Sequence, residues 1–126
     1  DALNVAGRKV GPAEVEGALI EHDAVNAAAA IGAEDDTTGT AVVTYVILEE
    51  GYEESDELKE ELRAQVGEEL GKPFRPREIL FVDQFPKTQS GKIVRRIIQS
   101  VHEGEQLGDL SSIENPDAID GIENAR

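Results

Sequence analysis

The residues with the most chemistry in their types and spacing are Pro86-Lys87-Thr88-Gln89-Ser90-Gly91-Lys92. A rigid proline introduces hydroxyls, a glycine and two lysines, and an apolar stretch follows. A strand is expected to end at Asp83 and a helix to open near Gly91, which puts Lys92 at the mouth of that helix. Helix N-termini present unpaired N–H groups and partial positive charge, so they favour anions. A lysine there adds a full charge on a long arm. A neighbouring glycine lets the backbone approach a ligand closely. Residue chemistry alone leaves two readings open: an anion contact, or an ordinary surface lysine opening an exposed helix. A nucleotide-binding P-loop is excluded, because Pro86 stands where its first glycine belongs and Ile93 replaces the required Ser or Thr.

Two further places carry candidate residues. Leu3-Asn4-Val5 and Arg8-Lys9-Val10 flank Ala6-Gly7 and read as a short hairpin turning around Gly7. That glycine serves either the turn alone or the approach of a ligand to bare backbone. His22 falls at the end of an expected helix, as a helix-end histidine or a ligand. Cysteine is absent, so disulfides and thiolate metal sites are excluded.

The elements that must position these residues follow from local patterns. Pro12 suits a first helical position, with Glu14 and Glu16 complementing the dipole of a helix over about 12–22. Val15, Ala18, Leu19 and His22 share its inner face. Val25 to Gly32 and Thr40 to Leu48 read as strands joined by an acidic loop over 34–39. After Ser55, the spacing of Leu58, Leu62, Val66 and Leu70 marks an amphipathic helix that Gly71 and Pro73 stop. Glu78 to Asp83 is a further strand. A last helix from Gly91 turns Ile93, Val94, Ile97, Ile98 and Val101 inward, with Lys92, Arg95, Arg96 and Gln99 towards the other side. The tail beyond His102 lacks periodicity and holds seven acidic residues with Arg126 as its base, so it is expected to be loosely packed or disordered. Together these give an α+β fold: a small mixed sheet with flanking helices, an N-terminal hairpin and an irregular acidic tail. The expected division is a domain over 1–102 and a tail extension over 103–126.

At 126 residues the chain suits one modest domain. Asp and Glu number 27 against 12 Lys and Arg, a net charge of −15, so nucleic acid is excluded as a partner. The carboxylates are dispersed, and such surfaces stay hydrated where salt screens their repulsion. They read as adaptation to a salty cytoplasm, with an acidic partner-binding face as the alternative. The apolar stretches are too short to span a bilayer, and neither a membrane partner nor a signal peptide is expected. The start at Asp1, in a strand-like stretch without a Met, reads as a piece cut from a longer protein.

Pro86-Lys87-Thr88-Gln89-Ser90-Gly91-Lys92, followed by a helix rich in Ile and Arg, resembles a hallmark of the adenylate-forming synthetases. Asn4-Val5-Ala6-Gly7-Arg8-Lys9-Val10-Gly11-Pro12-Ala13-Glu14-Val15-Glu16 is similar to the family segment just after its interdomain hinge. Leu107-Gly108-Asp109-Leu110-Ser111-Ser112-Ile113-Glu114-Asn115-Pro116 is similar to the ending of the acetyl-CoA synthetase branch. The likeness spans nearly the whole chain in register.

The resemblance implies the C-terminal lid domain of an AMP-forming acyl-CoA synthetase, with ATP and its Mg2+, coenzyme A and a small carboxylic acid as reactants. It implies a large N-terminal domain of the same enzyme as partner, a cytoplasmic location, and inactivity of this piece alone. Lys92 matches the catalytic lysine of adenylation, set against the substrate carboxylate and the α-phosphate. It also matches a regulatory acetylation site, served by a lysine acetyltransferase and deacetylase. Ala6 and Gly7 match backbone that lines the coenzyme A tunnel, and Lys9 matches a basic position that meets nucleotide phosphate. Ile20, His22 and Val25 match a cation site built mostly from backbone oxygens. One departure is Gly67, which stands where the branch carries an Arg for a coenzyme A phosphate; Lys72, Arg75 and Arg77 follow as substitutes. Acetate is the expected acid, with propionate or another short acid as alternative. A stand-alone regulatory or binding module, or an unrelated phosphate-binding domain, are the other readings.

Overall fold

The computed structural model describes residues 2–35 and 39–125, so part of the acidic loop expected over 34–39 lies outside the described residues. The chain divides into two compact units, Asp1–Phe81 and Val82–Arg126.

In the first unit, β1 (Leu3–Val5) and β2 (Arg8–Val10) form the expected antiparallel hairpin, with Val5 opposite Arg8. Val5 and Val10 point into the core, and Arg8 and Lys9 are exposed. Helix α1 (Pro12–Ile20) follows, with proline in its first turn as expected. Val15, Ala18 and Leu19 are buried. Glu16, expected to complement the helix dipole, is buried instead, and its Oε2 accepts the Ala30 N–H at 2.8 Å. Ala30 belongs to a sheet-edge strand, and the carboxylate satisfies a donor that has no neighbouring strand.

Strands β3 (Val25–Asp35) and β4 (Gly39–Leu48) pair antiparallel, and β5 (Glu78–Phe81) joins β4 in parallel, giving a mixed sheet in the order β3-β4-β5. A parallel neighbour requires a crossover, here built from α2 (Asp56–Leu70) and a single 3-10 turn at Lys72–Phe74. Ser55 caps α2, its Oγ accepting the Leu58 N–H at 3.0 Å. Gly71, at φ 115°, ends the helix where the sequence requires it. Leu58, Leu62 and Val66 enter one cluster with α1, Ala28, Ala30, Val42 and Val46. On the alternate positions Ala29, Ile31, Val43 and Tyr45 are buried too, which explains why these strands read as continuous apolar runs.

The second unit holds the lysine loop, α3 (Arg95–Glu103) and α4 (Asp117–Ala125). Ile97, Ile98 and Val101 of α3 are buried, and α4 lies against α3. This corrects the reading of the tail. Residues 104–116 are irregular, but Ala118, Ile119 and Ile122 recur at helical spacing and are buried. The acidic composition concealed that short apolar face. Among the described residues, no helix is long and apolar enough to cross a membrane.

Candidate functional site

The lysine loop is a small closed hairpin. Lys87 and Ile93 form an antiparallel bridge. Around it the Thr88 N–H donates to Lys92 O and the Val94 N–H to Pro86 O, both at 3.0 Å. The turn is closed by Gly91 N–H to Thr88 O at 2.9 Å, with Gly91 at φ 86°. A β-branched residue in that left-handed conformation would be strained, which accounts for the glycine. Thr88 Oγ1 accepts the Lys92 N–H at 3.2 Å and lies 3.0 Å from Ser90 Oγ. The hydroxyls that made this stretch distinctive in sequence thus tie the turn to itself.

Lys92 is exposed, and its ammonium has no ion pair among the described residues. It does not stand at the helix mouth, as the sequence led us to expect. Helix α3 starts three residues later, with Val94 outside the helical region at φ −100°, ψ 88°. The bridge at Ile93 and the Val94 bond to Pro86 hold residues 92–94 in extended backbone that β-branched Ile and Val favour. The anchor of Lys92 is therefore a rigid hairpin arm rather than a helix terminus.

In the first unit Ala6 and Gly7 form the exposed tip of the β1–β2 hairpin, at φ 52° and 80°. Positive φ at both central residues is the type I′ pattern that matches strand twist. Nothing lies within 4 Å of a Cβ built on Gly7, so its backbone angle, not crowding, calls for glycine there. Ala6 adopts a left-handed conformation that costs a non-glycine residue about 1–2 kcal/mol. Lys9 is exposed opposite Asn4. Arg8 stacks over the Phe74 ring at 5.0 Å.

Gly67 has a clear neighbour. A Cβ there would meet Cγ and Cδ of Arg75 at 2.8 and 2.9 Å, so the Arg75 side chain lies across the bare helix surface. Of the three substitutes weighed in the sequence, Arg75 is thus the one against Gly67. Arg77 is engaged elsewhere, with Nη1 donating to Glu34 O and Nη2 3.6 Å from Glu78.

Ile20, His22 and Val25 lie in and beside the turn that leaves α1, and the His22 carbonyl accepts the Val25 N–H at 3.0 Å. Both ring nitrogens of His22 are occupied. Nδ1 accepts the Ala24 N–H at 3.0 Å, and Nε2 faces Glu61 at 3.4 Å. The ring is a helix-end fastening, and any cation here would rest on main-chain oxygens. Among the described residues, no group of three or more His, Cys, Asp or Glu side chains is arranged to hold a metal ion.

Among the described residues, Glu69 and Asp109 have displaced acidities. Glu69 titrates above its ordinary range because it shares a hydrogen bond with Glu21, whose charge adds to the effect. Asp109 titrates below its range because Ser111 donates to it, with the Arg96 charge assisting. Neither is part of the lysine hairpin or the Gly7 hairpin.

A mixed three-stranded sheet with two covering helices, a type I′ hairpin and a hydrogen-bonded loop presenting the exposed Lys92 define a recognisable class. Residues 14–92 match the AMP-binding enzyme C-terminal domain, and the chain belongs to that family. It is similar to the acetyl-coenzyme A synthetase of Rubrobacter xylanophilus, at 49% identity over 97% of this chain and 19% of the relative. Among solved structures it resembles the Brucella canis acyl-CoA synthetase, with a TM-score of 0.77 and 40% identity over 83% of this chain and 20% of that one. It also resembles the ATP-bound RpMatB-BxBclM chimera, with a TM-score of 0.76 and 28% identity over 82% of this chain and 20% of that one. The chain spans about a fifth of the length of the relatives it matches. The contacts of Arg75 and Asn115 were not read from sequence. Each joins residues from separate parts of the chain, which local spacing does not show.

Proposed function

We propose that the chain is the mobile C-terminal domain of an AMP-forming acetate–CoA ligase, with residues 103–126 as an extension. The observation that carries this reading is Lys92: an exposed ammonium, without an ion pair among the described residues, on the arm of a hydrogen-bonded hairpin. The likeness to an acetyl-coenzyme A synthetase over nearly the whole chain supports acetate as the acid.

In the first half-reaction an acetate oxygen attacks the α-phosphorus of ATP. The bond to the β-phosphate oxygen breaks, and pyrophosphate leaves with the Mg2+ that entered with ATP. Two anions approach one another in this step, and the Lys92 ammonium bridges them and stabilises the charge that builds between them. In the second half-reaction the coenzyme A sulfur attacks the acetyl carbon, the carbon–oxygen bond to AMP breaks, and the thiol proton is released. Ala6 and Gly7 serve here, because the small tip lets the thiol arm lie against backbone. Lys9 supplies charge to nucleotide phosphate, and Arg75 brings a guanidinium to the place left bare by Gly67. A cation in the Ile20–Val25 turn would be held by main-chain oxygens.

A large N-terminal domain supplies the acyl pocket and most of the ATP site, so this chain alone should not turn over. Acetylation of Lys92 by a lysine acetyltransferase would remove its charge and stop adenylation, and a deacetylase would restore it. The exposure of Lys92 supports that reading. We place the enzyme in a saline cytoplasm, in keeping with 27 acidic against 12 basic residues. The test is exchange of labelled pyrophosphate into ATP by the complete enzyme. Acetate should support that exchange better than propionate or longer acids. A preference for another acid would remove acetate from the proposal, and exchange with no acid would remove the reaction.

A further inference from the structure

The lysine hairpin has a second edge, and the tail occupies it. Because Lys87 and Ile93 form a pair bonded through their neighbours, Pro86–Val94 and Thr88–Lys92, the Lys87 N–H and C=O face away from the hairpin. Both are taken by the segment before α4. The Asn115 Oδ1 accepts the Lys87 N–H at 2.8 Å, and the Glu114 N–H donates to Lys87 O at 2.8 Å. Asn115 Nδ2 donates to Phe85 O at 2.8 Å and approaches Gln84 Oε1 at 3.4 Å. One carboxamide thus reads a carbonyl and an amide two residues apart on the strand that carries the loop. Only a side chain that both donates and accepts can do so.

The clamp is itself fixed. Asn115 O accepts the Ala118 N–H at 3.0 Å in the first turn of α4, whose Ala118, Ile119 and Ile122 are buried. Ile113, two residues earlier, is buried as well. Upstream, Arg96 of α3 donates to Leu107 O at 3.1 Å and to Asp109 O at 3.4 Å. The tail is held at both ends, and between them it grips the loop.

We propose that Asn115 is a positioning residue for Lys92, and that the C-terminal extension serves to hold the lysine hairpin in its adenylating geometry. The proposal rests on the role given to Lys92 above. A loosened Lys87 strand frees the arm that carries Lys92, and misplacement of a reacting group by about 1 Å can cost as much as a hundredfold in rate.

The test uses the complete synthetase carrying Asn115→Asp, Asn115→Ala or Lys92→Ala. Asn115→Asp keeps the size and the acceptor for Lys87 but sets a carboxylate oxygen against Phe85 O. Both Asn115 variants should lower kcat for acetate-dependent adenylation by at least about tenfold. They should leave acetyl-CoA formation from supplied acetyl-AMP and coenzyme A within about twofold of the parent. Amide hydrogen exchange over residues 84–94 should accelerate in both. Unchanged adenylation, or parallel loss of both half-reactions with thermal stability, overturns the proposal. If Lys92→Ala is inactive in adenylation and the Asn115 variants are normal, the Asn115 role alone falls. If Lys92→Ala adenylates normally, the reading of Lys92 falls and takes the Asn115 role with it.

Discussion

Replacing Gly67 by alanine tests whether the packing around α2 is understood. Gly67 lies inside α2, and its carbonyl accepts the Gly71 N–H at 3.0 Å, so its backbone is helical and engaged. An interior glycine costs a helix about 0.8–1 kcal/mol relative to alanine. The added methyl would sit 2.8 Å from Cγ and 2.9 Å from Cδ of Arg75, closer than carbon atoms tolerate. Arg75 is exposed and flexible, so it can swing aside and lose only part of its methylene contact. Full burial of one methylene is worth about 0.8 kcal/mol, and a partial contact a few tenths. The helix term wins, and Gly67→Ala should stabilise the chain by about 0.5 kcal/mol. In an Arg75→Ala background the same change should give the full 0.8–1 kcal/mol, roughly, because nothing is displaced. Urea denaturation of the four proteins in a double-mutant cycle measures both values. A destabilisation that persists without Arg75 would refute the reasoning and show that something else needs glycine there.

Two other perturbations probe the framework. Leu62 is fully buried between α2 and the sheet, and Leu62→Ala should cost about 2–5 kcal/mol in a urea titration. Asp109 titrates below its ordinary range through the Ser111 hydrogen bonds, so its stabilising effect is present above the unfolded pKa and fades as pH falls through the lower folded value. Asp109→Asn should therefore lower the urea midpoint at neutral pH, and the gap from the parent should narrow as pH falls below the ordinary carboxylate range.

Local rules reached most of the fold because its elements are locally consistent. Ser55 caps α2, Gly71 ends it, and Pro12 opens α1, each where residue chemistry places it. The lysine loop was legible as a distinct stretch, but its geometry was not. Ile93 looks like the first inward residue of an amphipathic helix, and only its bridge to Lys87 keeps it extended. Glu16 showed the same limit, since a carboxylate early in a helix reads as a dipole partner until β3 presents an unpaired amide. The tail misled through composition. Its carboxylates outweigh Ala118, Ile119 and Ile122, although those three suffice to seat α4. Asn115 was beyond local reading, because its partners lie about thirty residues away.

The central claim is that Lys92 drives adenylation and takes no part in thioester formation. Its most direct test compares Lys92→Ala with the parent in both half-reactions of the complete enzyme. Loss of one charged contact to the transition state costs roughly a hundred- to a thousandfold, so acetate-dependent pyrophosphate exchange should fall by at least that much. Conversion of supplied acetyl-AMP and coenzyme A to acetyl-CoA should continue at the parental rate. Adenylation at the normal rate in the Lys92→Ala enzyme would contradict the account.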